Sequence, residues 1–185
     1  MPAAPRPLRA DAGRNRARVL TAATELFAER GDEVQMSEVA GAAGVGVGTI
    51  YRHFPTRQAL MEAIAEQRFL AILDFARAEC LDCRTGVDAL RQLLLRIGQV
   101  HEDGRTLSRV IESALGHTAP QGQVSEDLRD VAATILDQGR QDGSLRSDAT
   151  VDDLYMIIGS LATVVRANLG DWKRFVDITL AGLKP

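Results

Sequence analysis

The chain is 185 residues long, 45% apolar and 25% charged, with a net charge of −3, which fits one ordinary globular domain or two small ones. Aromatic residues make up only 4%, and the β-branched and aromatic runs that announce strands are missing, so the composition argues against a sheet and for an all-α fold. The longest apolar run, LYMIIGSLATVV from Leu154 to Val165, holds twelve residues, short of the roughly 18 to 20 that cross a bilayer. With no signal-peptide stretch at the front, a cytoplasmic protein with no membrane partner is expected.

The negative total hides an uneven distribution. Residues 1 to 57 carry eight arginines against six acids, whereas residues 58 to 185 carry fourteen Lys or Arg against nineteen acids. Arg6, Arg9, Arg14, Arg16 and Arg18 stand near the start beside a single acid, Asp11, and residues 1 to 13 are expected to form a flexible basic arm suited to a phosphate backbone. A first helix follows, about Arg14 to Arg30, with Val19, Ala23, Leu26 and Phe27 on one stripe and Gly31 as a left-handed stop. A second runs from Met36 to Ala43 with Met36, Val39, Ala40 and Ala43 at helical spacing, and ends at Gly44. The third spans about Val47 to Phe54, stopped by Pro55. Thr56 is a good N-cap for a long fourth helix through Leu60, Ile64, Ala71 and Phe75 to about Cys80.

Beyond a loop at 84 to 86, helical spacing continues. Val87, Leu90, Leu94 and Ile97 open a fifth helix, and Leu107, Val110, Ile111 and Leu115 mark a sixth. After the Pro- and Gly-containing loop 117–123, Leu128, Val131, Ala132, Ile135 and Leu136 give a seventh, closed by Asp142 and Gly143. Leu154, Ile157, Ile158, Leu161 and Val165 define the eighth helix; Trp172, Phe175, Val176, Leu180 and Leu183 the ninth.

The stretch GVGVGTIYRHF, residues 44 to 54, carries the chemistry. A dinucleotide-binding loop needs G-x-G-x-x-G straight after a strand, and here G-x-G-x-G follows a helix. A P-loop needs lysine and a hydroxyl where Val47 and Gly48 stand. Two short helices around a glycine-containing turn, backed by other helices, make a helix-turn-helix, with Gly44 in a left-handed turn, Val45 plugging the core and Gly46 starting the third helix.

VAGAAGVGVGTIYRHFPTRQAL resembles the DNA-binding signature of TetR-type transcriptional regulators, I/V-A-x-x-A-G-V-S-x-G-T-L/I-Y-x-H/Y-F followed by a capped helix bearing a basic residue and a leucine. The resemblance covers about residues 15 to 64, including the A-x-x-L-F-x-x-x-G ending of the first helix; beyond it, only helix number and length are similar. Two positions depart. Gly46 replaces the usual serine, so any DNA contact there is through the main chain, and Gln35 with Met36 stands where the family often has threonine. The resemblance implies that Thr49, Tyr51 and His53 donate to phosphate oxygens, that Val47, Gly48 and Arg52 face base edges, that Arg57 clamps the next phosphate, and that Ser37 touches the backbone from the second helix. Phosphate contacts fix position and base contacts discriminate, which makes Arg52, able to read guanine in bidentate fashion, the candidate for sequence choice.

A single helix-turn-helix covers little DNA, and dimers solve this by reading two half-sites. A homodimer on a palindromic double-stranded operator is therefore expected. The apolar stripes of the last two helices, Leu154, Ile157, Ile158, Leu161, Val165, Trp172, Phe175, Val176 and Leu180, are the expected interface, with Gly159, Ser160 and Ala162 permitting close approach. The resemblance further implies a small-molecule effector held among the fourth to seventh helices, releasing a repressor from DNA by altering the spacing of the two readers. Candidate lining residues are Phe69, Phe75, Leu94, Ile97, His101, Ile111, Leu115 and Ile135, each equally compatible with plain core. The domain expectation is an arm over 1–13, a DNA-binding domain over 14–60 and a ligand-binding and dimerisation domain over 61–185.

Cys80 and Cys83 form C-L-D-C. With no other cysteine and three histidines, a structural zinc site lacks ligands, and no metal or cofactor is expected. A thiol-redox protein remains the alternative of a different class, and a DNA-binding dimer without an effector the alternative within the same one. No hydrolase or metalloprotease motif is found, so the chain is read as a non-enzyme.

Overall fold

The computed structural model describes residues 7 to 117 and 119 to 185, for residues 7 to 10 as backbone only. They form helices and, among the described residues, no strand. The elements are α1 (Pro7–Arg30), a 3₁₀ turn (Gly31–Glu33), α2 (Met36–Ala42), α3 (Val47–His53), α4 (Arg57–Phe75) with a π-helical turn (Ala76–Cys80), α5 (Gly86–Asp103), α6 (Arg105–Leu115), α7 (Gly122–Gln141), α8 (Val151–Arg166) and α9 (Trp172–Gly182).

The order matches the periodicity reading, with one correction at the front. Among the described residues, helix α1 already runs from Pro7, seven residues before Arg14. Arg14, Arg16 and Arg18 are thus helical, Arg14 paired with Asp11 one turn back. The part of the proposed arm formed by residues 1 to 6, Arg6 included, lies outside the described residues.

The chain divides into two compact units. One holds the residues up to Ala65 together with the segment from Thr106 that contains α6, and the other holds Glu66–Arg105 and the chain from Ala119. In the first unit α1, α2 and α3 pack on one another around Val19, Ala23, Phe27, Val34, Val39 and Ile50, all fully buried or nearly so. Gly31, at φ +65°, ends α1 in the left-handed region. Thr56 caps α4 by accepting from the Ala59 amide at 3.0 Å.

In the second unit α5 is central, packed against α7, α8 and α9. Its buried face carries Ala89, Leu90, Leu93, Leu94 and Ile97. Two glycines set the close contacts. A Cβ on Gly86 would lie 2.3 Å from the Gly139 backbone, and one on Gly98 would lie 2.3 Å from the Trp172 ring. Polar caps fix the helix starts: Thr85 accepts from the Asp88 amide at 3.2 Å, Thr150 and Asp153 form a reciprocal capping box on α8, and Asp171 accepts from the amides of Lys173 and Arg174.

The expected interface residues divide by burial. Leu154, Leu161, Val165, Trp172, Val176 and Leu180 are buried within this chain; Ile157, Ile158 and Phe175 are half-buried against the same core. The stripe marked by the periodicity is the one that closes the monomer. What α8 and α9 leave to solvent is another face, with Met156 at 65% and Ile178 at 58% exposure and with Gly159, Ser160 and Thr163 exposed.

Candidate nucleic-acid interface

The α2–turn–α3 segment is built by opposed demands on successive residues. Helix α2 ends with the Ala43 amide bonded to the Val39 carbonyl at 2.9 Å. The chain then reverses at Gly44, whose φ of +62° strains any residue with a Cβ. Arg18 from α1 donates to the Gly44 carbonyl at 3.2 Å and locks the turn. A Cβ on Gly44 would come within 2.5 Å of that guanidinium. Val45 is half-buried, so the plug it provides is only partial.

Gly46 is the N-cap of α3, in extended geometry at φ −69°, ψ 149°, and its carbonyl accepts from the Thr49 amide at 2.8 Å. Helix α3 then separates two faces. Ile50 (0% exposed) and, just past the helix, Phe54 (2%) face the core. Val47 and Tyr51, at 46% and 47% exposure, are on the solvent side with exposed Gly48 and Arg52, flanked by half-buried Thr49 and His53. A large valine and tyrosine left in water beside an arginine, on a helix whose other face is core, is the arrangement of a reading helix. Ser37, in the first turn of α2, is exposed as well.

The start of α2, where the usual threonine is missing, is anchored by other means. Met36 is buried. The Glu38 carboxylate accepts from the Gln35 amide at 2.7 Å and pairs with Arg30 at 2.8 Å; the Gln35 amide first and the guanidinium second hold its pKa below the usual carboxylate range. Sequence reasoning misses this tie, although glutamate three residues after the cap is its signal.

Arg57, expected to clamp a phosphate, makes its contacts within the chain. Its guanidinium donates to the Val34 carbonyl and to the Asp32 carbonyl at 3.0 Å, and stacks over the Phe27 ring at 4.6 Å.

The effector candidates fall in both units. Leu94, Ile97 and Ile135 belong to the core of the second, with Phe69 and Phe75 half-buried against it. Ile111 is buried and Leu115 half-buried in the first unit. His101 is pushed down to about 4 by burial, then by Arg68 and Arg166, and Arg68 donates to the Val100 carbonyl at 3.0 Å. The cysteines do not resemble a reactive pair. Burial pushes the Cys80 thiol up to about 11, and burial followed by Asp88, Asp82 and Glu79 raises Cys83, the opposite of thiolate activation.

No helix among the described residues is long and apolar enough to cross a membrane. Residues 19–64 match the family profile described as bacterial regulatory proteins, tetR family, and residues 88–185 match the C-terminal domain of SbtR-like transcriptional regulators. The crystal structure of a TetR transcription regulatory protein from Mycobacterium vanbaalenii is 32% identical, with a TM-score of 0.66 over 97% of this chain and 100% of that one. The HTH-type transcriptional regulator SAR0097 of Staphylococcus aureus is 40% identical over 73 residues, 36% of this chain and 38% of its own length. The HTH-type transcriptional repressor KstR2 of Mycolicibacterium smegmatis is 26% identical over 153 residues, 76% of this chain and 72% of its own. With residues 19–64 and 88–185 both matched and a full-length relative at 32% identity, this protein belongs to the TetR family of bacterial regulatory proteins, DNA-binding regulators and not enzymes.

Proposed function

We propose that the protein is a cytoplasmic repressor that binds a palindromic operator as a homodimer and leaves it when a small molecule binds its C-terminal half. The observation that carries the reading is the division of α3, with Ile50 and Phe54 in the core and Val47, Gly48, Tyr51 and Arg52 in water. Thr49, Tyr51 and His53 contact phosphates, Ser37 and the Gly46 main chain touch the backbone, and Val47, Gly48 and Arg52 meet base edges. The second copy packs on the outward face of α8 and α9, around Met156, Ser160, Thr163 and Ile178, where small and apolar residues allow close helix approach. Support for an effector comes from a fold neighbour, the regulator FadR from Bacillus subtilis, solved in complex with stearoyl-CoA (17% identity, TM-score 0.67).

Selecting bound fragments from random duplex DNA with the purified protein tests this. Two inverted half-sites about one helical turn apart, or a multiple of it, are expected. Recovery of no common sequence would contradict the reading.

A further inference from the structure

We propose that Arg57 is a positioning residue for the DNA reader, gripping the chain just before α2, and not a phosphate contact; the inference rests on the reading of α3 as the DNA-binding face. Asp32 and Val34 lie in the connection between α1 and α2, which has no strand or long helix of its own to satisfy its carbonyls. An unbonded carbonyl at a buried residue is costly, and Val34, unlike the exposed Asp32, is 0% exposed. Arg57, the first residue of α4, supplies the donors. One terminal nitrogen donates to the Val34 carbonyl, the other to the Asp32 carbonyl at 3.0 Å, with the Asp32 carboxylate at 3.5 Å. Beneath the guanidinium is the Phe27 ring at 4.6 Å, itself fully buried.

The arrangement uses the planar fork and flat face that distinguish arginine from lysine. It also has a counterpart at the other end of α2, where Arg18 donates to the Gly44 carbonyl. Helix α2 is therefore held at entry and exit by arginines on main-chain oxygens, and α3 follows directly from it. Turning Arg57 outward to a phosphate breaks its bonds to both carbonyls and its stacking on Phe27, whereas Arg52 is already exposed.

Two measurements test the assignment. The first compares wild type with Arg57→Lys on the duplex selected by wild type, across a series of salt concentrations. Lysine keeps the charge and loses the fork. A positioning role gives a loss of roughly tenfold or more in affinity with an unchanged slope of log Kd against log salt; a variant that binds like wild type overturns the proposal. The second uses wild type alone and so does not depend on a variant folding: arginines are modified with phenylglyoxal, with and without that duplex, and mapped by mass spectrometry. Arg57 is expected to react slowly in the free protein with little change on DNA, while Arg52 reacts freely and is shielded by DNA. An Arg57 that reacts readily when free and is protected by DNA overturns the proposal. If wild type selects no duplex at all, the reading of α3 fails, an outcome distinct from a wild type that binds while its Arg57 behaves as a phosphate contact.

Discussion

Gly44 and Gly46 stand two residues apart and answer to different constraints. Gly44 combines a φ of +62° with the Arg18 guanidinium 2.5 Å from where a Cβ would stand, so Gly44→Ala is expected to lower stability by about 1–3 kcal/mol in urea unfolding. Gly46 has an ordinary φ of −69°, and the nearest atom to its added Cβ is Thr49 Oγ1 at 3.9 Å. Gly46→Ser is therefore expected to hold or raise stability by a few tenths of a kcal/mol by supplying an N-cap oxygen. His101 offers a pH readout. Held down to about 4 by burial and by Arg68 and Arg166, it stays neutral in the folded chain near neutral pH, whereas an unfolded histidine takes a proton below about pH 6.5. Its contribution is complete above that value and is lost as pH falls toward about 4. Between about pH 7 and about pH 5, wild type is expected to lose about 2 kcal/mol more than His101→Gln. Residues whose burial or exposure follows from local pattern, Ile50 and Phe54 in the core and Tyr51 and Arg52 in water, are legible in the amino-acid sequence alone. Arg57 is not, because its partners are main-chain carbonyls 23 and 25 residues away, which no side-chain motif records.

Helix periodicity marks a buried stripe without saying what buries it. On α8 and α9 the strongest stripe, Leu154 to Leu180, has the pattern of a contact with a second copy, yet α5 covers it within the same chain. The weaker outward face, with Met156 and Ile178, is exposed. These surfaces separate by experiment. Met156→Glu with Ile178→Glu is expected to yield a folded monomer by sedimentation, whereas Leu161→Ala lowers stability by about 2–5 kcal/mol by opening a cavity in the core. The α5–α7 crossing is equally unreadable from sequence, since neither Gly86 nor Gly139 lies in a recognisable motif. A Cβ at Gly86 would meet the Gly139 Cα and N at 2.3 Å and the Ile135 carbonyl at 2.8 Å. Because backbone cannot step aside as a side chain can, Gly86→Ala is expected to cost about 3 kcal/mol, read from the shift in urea midpoint.

Across the whole molecule, helix order and approximate bounds follow from spacing and caps, while the grouping of helices does not. Helix α6 belongs with the DNA-reading unit, although it follows α5 in sequence; contact between distant segments leaves little trace in local periodicity. The charge distribution is legible, and it bears on affinity: the arginines near the front of a chain of net charge −3 imply binding that weakens steeply and linearly in log salt as counterions are released. The central claim is that the outward face of α3 reads base sequence, and the most direct measurement is the affinity of wild type and Arg52→Ala for the selected duplex and for its single-base variants at fixed salt. Wild type should discriminate at the contacted base by about 1–3 kcal/mol, and Arg52→Ala should lose that discrimination while still binding. Equal discrimination by both proteins, or no preference by wild type for the selected duplex, would contradict the account.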